Sequence, residues 1–227
     1  MKALQPMIAI RPFYAFFFFL LAQSGFSQQA LSPKTADSLR KVLTRVAIED
    51  QRYRDKMSAM SQQSGPETPE MQALVDSMRM TDARDLKIVK SILNKYGWIG
   101  ADQIGEEANH ALFLVILHAD LATQKKYLPM LKQAVAGGKA REANLGMLED
   151  RMAVRQGKPQ TYGSQVSWDK QSGRYYLLPI IDPDKVNERR AKIGMTPIED
   201  YLLDCCNLVW DAASYKKDIH SLKTKKN

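Results

Sequence analysis

The sequence has few of the residues that build small extracellular scaffolds. Only two of its 227 residues are cysteines, and they are neighbours, Cys205 and Cys206. Adjacent cysteines close almost no loop, so they cannot stabilise a fold by linking distant segments. A bond between neighbours would also strain the ring, so we expect two thiols packed in or beside a helix. Pairing with a second chain stays open.

Several catalytic and metal-binding motifs are also missing. The sequence contains no phosphate-binding loop, no nucleophile elbow and no Cys–His arrangement with the spacing of a known family. Glu106 and His110 share a helix face, but no third ligand follows at metal spacing. We therefore predict neither a metal nor a cofactor.

Residues 1–27 have the features of a secretory signal peptide. Lys2 and Arg11 supply positive charge, residues 13–22 form an apolar run of ten, and Gly25-Phe26-Ser27 offers small residues for cleavage. An apolar run of ten is too short to span a membrane, and no later run approaches 18 residues. We therefore predict an exported protein, periplasmic or extracellular, whose mature chain has no transmembrane segment. An uncleaved membrane anchor is the alternative.

The net positive charge is a feature of nucleic-acid-binding proteins, but the predicted export argues against that class of partner. A formal net charge of +8 is typical of nucleic-acid binding. Loss of Lys2 and Arg11 on export lowers it to +6, and residues 218–227 form a basic tail that we expect to be frayed. Because exported proteins seldom meet nucleic acid, we predict no nucleic-acid partner. The charge instead favours anionic envelope surfaces or solubility.

Helical patterns dominate residues 28–217, which we predict to be a single mainly α domain. It should contain about seven helices and one β-hairpin near residues 161–180. The expected helices cover about residues 33–62, 69–97, 103–118, 121–137, 139–156, 183–194 and 196–217. Helix-start signals include Thr68-Pro69, Asp120 and the capping box Thr196-Pro-Ile-Glu199.

Three aspartates interrupt the apolar stripes of the first two helices. Asp50 lies in the first stripe, and Asp82 and Asp85 lie in the second. If the two helices pack antiparallel, Asp50 lies beside Asp82, and two carboxylates there repel and lose solvation. Arg54, four residues after Asp50 on the same face, would neutralise one of them. The cluster is either a structural ion pair or the wall of a polar pocket.

For several other polar residues, a structural role and a role in a site are both open. His118 ends the most apolar helix, either as a cation favoured at a helix C-terminus or as a titrating group beside the carboxylates. Asp120 follows it closely. Arg151 is expected to brace the hairpin loop through carbonyl groups. Tyr162 and Gln165 either line a pocket or close the turn.

Short motifs follow one another in a fixed order along residues 40–203. They are Asp50-Gln51 with Arg54, Asp82, Gly97-Trp98, His118-Ala119-Asp120, Gln124, Leu148-Glu-Asp-Arg151, Gln160-x-Tyr162-Gly163-x-Gln165, and Val186-x-x-Arg189-Arg190 with Tyr201. In this the sequence resembles the bacterial family called domain of unknown function 6624. That family usually has Pro at the position of Ile99 and Thr at that of Ser164. The resemblance implies the extent of the fold and a set of polar residues, but no reaction.

We predict that the domain binds a small polar ligand, a peptide or a glycan in a polar pocket. The candidate catalytic residues are Asp50, Asp82 and His118, and the candidate ligand contacts are Arg54, Asp120, Arg151, Tyr162 and Gln165. One alternative is a metal-independent hydrolase in which His118 is the base and an aspartate its partner. The second is a structural or interaction protein of the cell envelope. The sequence leaves the oligomeric state open, and it does not decide whether the protein is an enzyme.

Overall fold

The computed structural model describes residues 30–64, 68–169 and 172–217, without the side chains of residues 61–64. The predicted signal peptide, residues 1–27, and the predicted basic tail, residues 218–227, lie outside the described residues. Both therefore stay predictions. Among the helices of the described ranges, none combines the length and the apolar character needed to cross a membrane.

The described chain is mainly α-helical with one hairpin, which confirms the predicted fold class. The elements in chain order are α1 (Pro33–Ser64), α2 (Pro69–Tyr96), α3 (Ala101–Ile104), α4 (Glu106–His118), α5 (Leu121–Ala136), α6 (Glu142–Arg155), β1 (Val166–Asp169), β2 (Arg174–Leu177), a 3-10 helix (Pro183–Lys185), α7 (Val186–Lys192) and α8 (Ile198–Cys206). Residues 212–217 are helical as well.

The most apolar helix, α4, lies at the centre of the main core. All residues from Ala111 to Leu117 are buried except the half-buried Leu114. The helix packs against α1, α2, α3, α5 and α6. A helix that is apolar all round must be covered on every side. This position brings the last residue of α4, His118, to the interface between α1 and α2.

Two predicted helices are shorter or more divided than the sequence indicated. The third is interrupted at Gly105, whose φ of 85° is incompatible with a continuing helix, so α3 and α4 are separate. The last helix ends at Cys206, because Asn207 adopts a left-handed conformation with φ of 50°. The sequence did not reveal either stop, since a lone Gly or Asn is compatible with several conformations.

The predicted capping box before the last helix is wrong. Pro197 precedes the first helical residue, and no side chain of the predicted box caps it. Asn187 of α7 takes that role, because its Oδ1 accepts from the Ile198 amide at 2.8 Å and its Nδ2 donates to Glu199 Oε2 at 2.8 Å. A tertiary partner has therefore replaced the local one.

The two cysteines also differ from the expectation. Cys205 and Cys206 are bonded to each other in the last turn of α8, whereas the sequence predicted two thiols. Because the partners are adjacent, this bond joins no separate parts of the chain.

The hairpin forms a smaller unit with α7 and α8. Strands β1 and β2 pair antiparallel, with Val166 opposite Leu177 and Asp169 opposite Arg174. Apolar residues beneath them form a second cluster, which consists of Leu177, Ile180, Val186, Ile198 and Leu202. The loop that leads into β1, residues 156–165, contacts both α6 and this cluster, and two predicted site residues, Tyr162 and Gln165, belong to it.

Candidate functional site

Helices α1, α2 and α4 bring together three of the residues predicted from the sequence. Asp50 lies inside the α1–α2 interface with only 1% of its surface exposed. His118 reaches it from the end of α4, with 3.0 Å between His118 Nδ1 and Asp50 Oδ1. Asp82 approaches from α2 with its side chain 26% exposed. The predicted register of the two helices, with Asp50 beside Asp82, is thereby confirmed.

Arg54 separates the two carboxylates. Its Nη2 donates to Asp82 Oδ1 at 3.0 Å and Oδ2 at 2.9 Å, and its Nη1 lies 3.2 Å from Asp50 Oδ1. The guanidinium therefore offsets the repulsion that the sequence led us to expect. Gln51 adds a further donor, 2.6 Å from Asp50 Oδ2.

The surroundings set the protonation states of Asp50 and His118. Burial opposes ionisation of Asp50, but the hydrogen bond and charge of His118, followed by Arg54 and Gln51, hold its pKa below the ordinary value. Burial lowers the pKa of His118, and the neighbouring Asp50 only partly offsets this. At neutral pH the arrangement is a carboxylate that accepts the Nδ1–H of a neutral imidazole. The lone pair of His118 Nε2 is then available to accept a proton or hydrogen bond.

A small cavity opens beside this group. Its volume is 180 Å³, and its lining residues are Asp50, Asp82, Ala83, Leu86, Val115, His118, Ala119 and Asp120. We call it the acidic cavity. It is accessible from solvent, since the Asp82 and His118 side chains are 26% and 12% exposed. Four predicted site residues therefore share one open space.

Asp120 has a structural task in addition to its place in this wall. Its Oδ1 accepts the amide of Thr123 at 2.7 Å and so caps α5, as predicted. These backbone hydrogen bonds lower the pKa of Asp120. The carboxylate therefore remains ionised at the rim of the acidic cavity.

The remaining predicted contacts do not line the acidic cavity. Arg54 lies behind its wall, and Arg151 donates from Nε to Gln165 Oε1 at 2.9 Å. Tyr162 packs its ring against Gly146, where an added Cβ would lie 3.1 Å from the ring. Of these residues, Arg54 lies nearest the Asp50–His118 pair, with its Nη1 3.2 Å from Asp50 Oδ1, and the charge of Arg151 also acts on the pKa of His118.

The residue that holds the hairpin loop differs from the one predicted from the sequence. We predicted that Arg151 would hold the loop through carbonyl groups, but Asp150 holds it through amides. Asp150 accepts from the amides of Thr161 at 2.6 Å, Tyr162 at 3.1 Å and Ser164 at 3.0 Å. The carbonyl contacts come from the next helix, where Arg189 binds Thr161 O at 2.8 Å and Arg190 binds Tyr162 O at 2.7 Å.

Asp85 is a buried carboxylate to which the sequence analysis assigned no role in the site. Asp85 is 1% exposed, against a half-buried Asp82, and its Oδ1 accepts from Arg84 Nε at 3.0 Å. Its Oδ2 is buried and has no hydrogen-bond partner among the described residues, and burial is the main reason that its pKa is raised. The interruption of the α2 stripe at Asp85 was the available signal.

A buried glutamine completes the support of His118. Gln124 is fully buried, and its Nε2 donates to the carbonyl of Leu117 at 2.7 Å. The bond satisfies a carbonyl at the C-terminal end of α4 and fixes the chain next to His118. Gln124 belongs to the motifs noted in the sequence, but periodicity alone gave it no role.

Acidic groups and imidazole raise the question of a metal. Across the described ranges, no three His, Cys, Asp or Glu side chains are grouped so that they could hold a metal ion. The carboxylates and the imidazole of the acidic cavity themselves offer hydrogen bonds, charge and proton transfer.

Comparison with known proteins identifies the family. Residues 37–216 match the family of unknown function DUF6624, and the chain belongs to that family. The match includes all the polar residues of the acidic cavity. No curated protein and no solved structure matches the chain.

Proposed function

We propose that the protein binds a small polar ligand, a peptide or a glycan in the acidic cavity. The observation that carries the proposal is that Asp50, Asp82 and His118 line one open cavity rather than separate regions. A brace that serves only stability has no need to leave Asp82 and His118 open to solvent. Charges maintained at such a cavity are typical of functional sites.

The lining chemistry defines what the ligand must offer. Asp50, Asp82 and Asp120 provide carboxylate oxygens, and His118 Nε2 adds a nitrogen lone pair. All of these groups accept hydrogen bonds, so the ligand presents donors such as the hydroxyls of a glycan or the amine of a peptide. At 180 Å³ the cavity is smaller than the roughly 300–1,000 Å³ of a usual ligand pocket, so it encloses one group of the ligand.

Titration with small donor-bearing probes tests this proposal. Glucose carries hydroxyls, glycinamide carries an amine and glucosamine carries both, so titrating each into isotopically labelled protein separates hydroxyl from amine recognition. The readout is a saturable shift of the backbone amide resonances of Ala83 and Ala119, which line the acidic cavity. We expect Asp82→Asn and His118→Asn to remove the response. Asp184→Asn is a matched control, because Asp184 pairs with Lys216 at the exposed surface. Equal responses in all variants, or no response to any probe, would contradict the proposal.

A second candidate function is hydrolysis by a water activated at His118. It is favoured by the 3.0 Å contact of Nδ1 with Asp50 and by the lowered pKa of His118, which leaves Nε2 ready to accept a proton. Nitrophenyl esters and glycosides are suitable substrates. Hydrolysis should rise with pH as His118 loses its proton, and His118→Asn should abolish it. Turnover that persists in this variant would exclude the mechanism.

We also propose that the protein is exported, on the basis of the sequence pattern in residues 1–27. Expression of the full chain in a bacterium, followed by fractionation and mass spectrometry, tests this. The expected product lies outside the cytoplasm and begins at Gln28. An intact chain that begins at Met1 and stays in the cytoplasm would contradict it.

A further inference from the structure

Two arginines on α6 form an unusual like-charged pair. Arg151 and Arg155 are four residues apart in α6, so they lie on the same face of the helix. Like charges at this spacing destabilise a helix. Arg155 is exposed and solvent screens its charge, whereas Arg151 is partly buried and its charge is therefore more costly.

The described hydrogen bonds of the two arginines are with neutral groups. In the ranges that the structure describes, the only hydrogen bond from the Arg151 side chain goes to the neutral Gln165 Oε1, and the only one from Arg155 goes to the carbonyl of Ala119. No carboxylate of these ranges forms a salt bridge with either residue, although Arg54, Arg84 and Arg141 all have one. An arginine has five N–H donors, so most of the donors of both guanidinium groups remain unused.

The Arg155 guanidinium contacts the lining of the acidic cavity, and the Arg151 guanidinium is close enough to interact with the charges of that lining. Ala119, whose carbonyl Arg155 binds, is part of the cavity lining. Arg151 is close enough to Asp50 and His118 for the charges to act on one another. Burial, and after it the charges of Arg155 and Arg54, lower the pKa of Arg151 to about 10. A bound anion would relieve this repulsion.

We propose that Arg151 and Arg155 form an anion subsite at the edge of the acidic cavity, which binds a carboxylate or phosphate group of the ligand. The inference rests on the proposed function and narrows it. The ligand carries an anionic group next to the hydroxyl or amino group that enters the cavity, as in an amino acid, a sugar acid or a sugar phosphate. Paired guanidinium groups suit both anions because their N–H groups bind two oxygens at once.

Titration with inorganic phosphate and, separately, with acetate tests the subsite and distinguishes the two anions. Nitrogen NMR of the arginine Nε–H groups reports binding directly, independently of stability. We expect one anion to shift the Arg151 and Arg155 signals saturably. Loss of a charge-assisted hydrogen bond predicts a dissociation constant about tenfold higher or more in Arg151→Gln and in Arg155→Gln.

Two further variants separate the subsite from general charge effects. Arg155→Lys keeps the charge but loses the planar fork, and we expect intermediate binding. Arg141→Gln removes the same charge near the other end of α6, where Arg141 pairs with the exposed Glu106, and should leave binding unchanged. Equal weakening by Arg141→Gln, or no weakening by either glutamine variant of the pair, would overturn the inference.

The neutral probe glucose separates this inference from the proposed function. If Arg151→Gln and Arg155→Gln still bind glucose but wild-type protein binds neither anion, the cavity proposal stands and the anion subsite fails. If wild-type protein binds phosphate or acetate but none of the donor probes, the subsite exists and the donor-binding cavity fails.

Discussion

Two aspartates, Asp50 in the helical core and Asp150 beneath the hairpin loop, are equally buried but differently held. Each is 1% exposed. Asp150 accepts three backbone amides and the Ser164 hydroxyl at 2.9 Å. Asp50 is held by the side chains of His118, Arg54 and Gln51. Only Asp50 adjoins the acidic cavity.

The difference shows that burial of a charge does not by itself mark a functional site. Backbone amides are fixed by the fold, so a carboxylate such as Asp150, whose partners are mainly amides and which lies outside the acidic cavity, is expected to stabilise the loop. Side-chain partners can change their protonation or exchange their hydrogen bonds when a ligand arrives. The kind of partner, together with an adjoining cavity, is therefore the better indicator of function.

The largest effect should come from Asp150→Asn. The new amide group places an N–H₂ where the carboxylate accepted amides, and at least one buried donor of the loop then loses its partner. With hydrogen bonds to a charged group worth about 1.5–3 kcal/mol each, we expect a loss of about 3–5 kcal/mol in the free energy of unfolding. Urea denaturation followed by circular dichroism measures it.

Ser164→Ala is the matched control for this change, because it removes the hydroxyl contact and leaves all three amides bound to Asp150. It should cost about 1–2 kcal/mol. If Asp150→Asn were no more costly than Ser164→Ala, the amide clamp would not be the source of the stability.

Asp50→Asn should cost less, about 1–3 kcal/mol, and yet remove ligand binding. The asparagine oxygen still accepts from His118, and Arg54 keeps its contacts with Asp82. Urea denaturation and probe titration on the same samples measure the two effects. A stability loss as large as that of Asp150→Asn, with probe binding retained, would remove the distinction between the two aspartates.

The sequence predicts the Asp50 side of this comparison better than the Asp150 side. Asp50, Asp82 and Arg54 lie on long regular helices, where spacing alone determines which residues face each other. The position of His118 followed similarly from the apolar helix that it ends. These four residues could be placed without a structure because helical periodicity carries over many turns.

Helical periodicity could not predict the contacts of the loop in residues 156–165. Asp150 and Arg151 are adjacent, and nothing local distinguishes the residue that binds the loop amides from its neighbour. The division of labour between Asp150, Arg189 and Arg190 depends on contacts across 11 to 28 residues of sequence. The break at Gly105 and the cap by Asn187 likewise depend on tertiary packing.

The dependence of the free energy of unfolding on pH should distinguish the Asp50–His118 pair from the Asp150 loop. Burial lowers the pKa of His118 from its ordinary value of 6.5, so the unfolded chain binds the proton more tightly than the folded one. The free energy of unfolding should therefore be highest above about pH 6.5 and should fall as the pH decreases toward the folded pKa. Urea denaturation between pH 8 and pH 5 measures this slope.

His118→Gln should flatten the slope, while Ser164→Ala should shift the whole curve down without changing its shape. His110, whose pKa is also lowered mainly by burial, remains in both variants and contributes the same residual slope to each. Asp50 does not interfere, because its lowered pKa places its own titration below 3.8. An unchanged slope in His118→Gln would show that His118 is not the titrating group.

The smallest change in stability, with the clearest change in function, should come from Asp82→Asn. Its side chain is 26% exposed, so solvent screens its pairing with Arg54, and Arg54 keeps Asp50 as a partner. We expect at most about 1 kcal/mol of destabilisation together with loss of probe binding in the acidic cavity. Asp50 and Asp82 both bind Arg54. If this network served only the fold, Asp50→Asn and Asp82→Asn would both lower the free energy of unfolding, and probe binding would not depend on Asp82. Denaturation and titration of the same preparation therefore decide whether the wall of the acidic cavity serves the fold or the ligand.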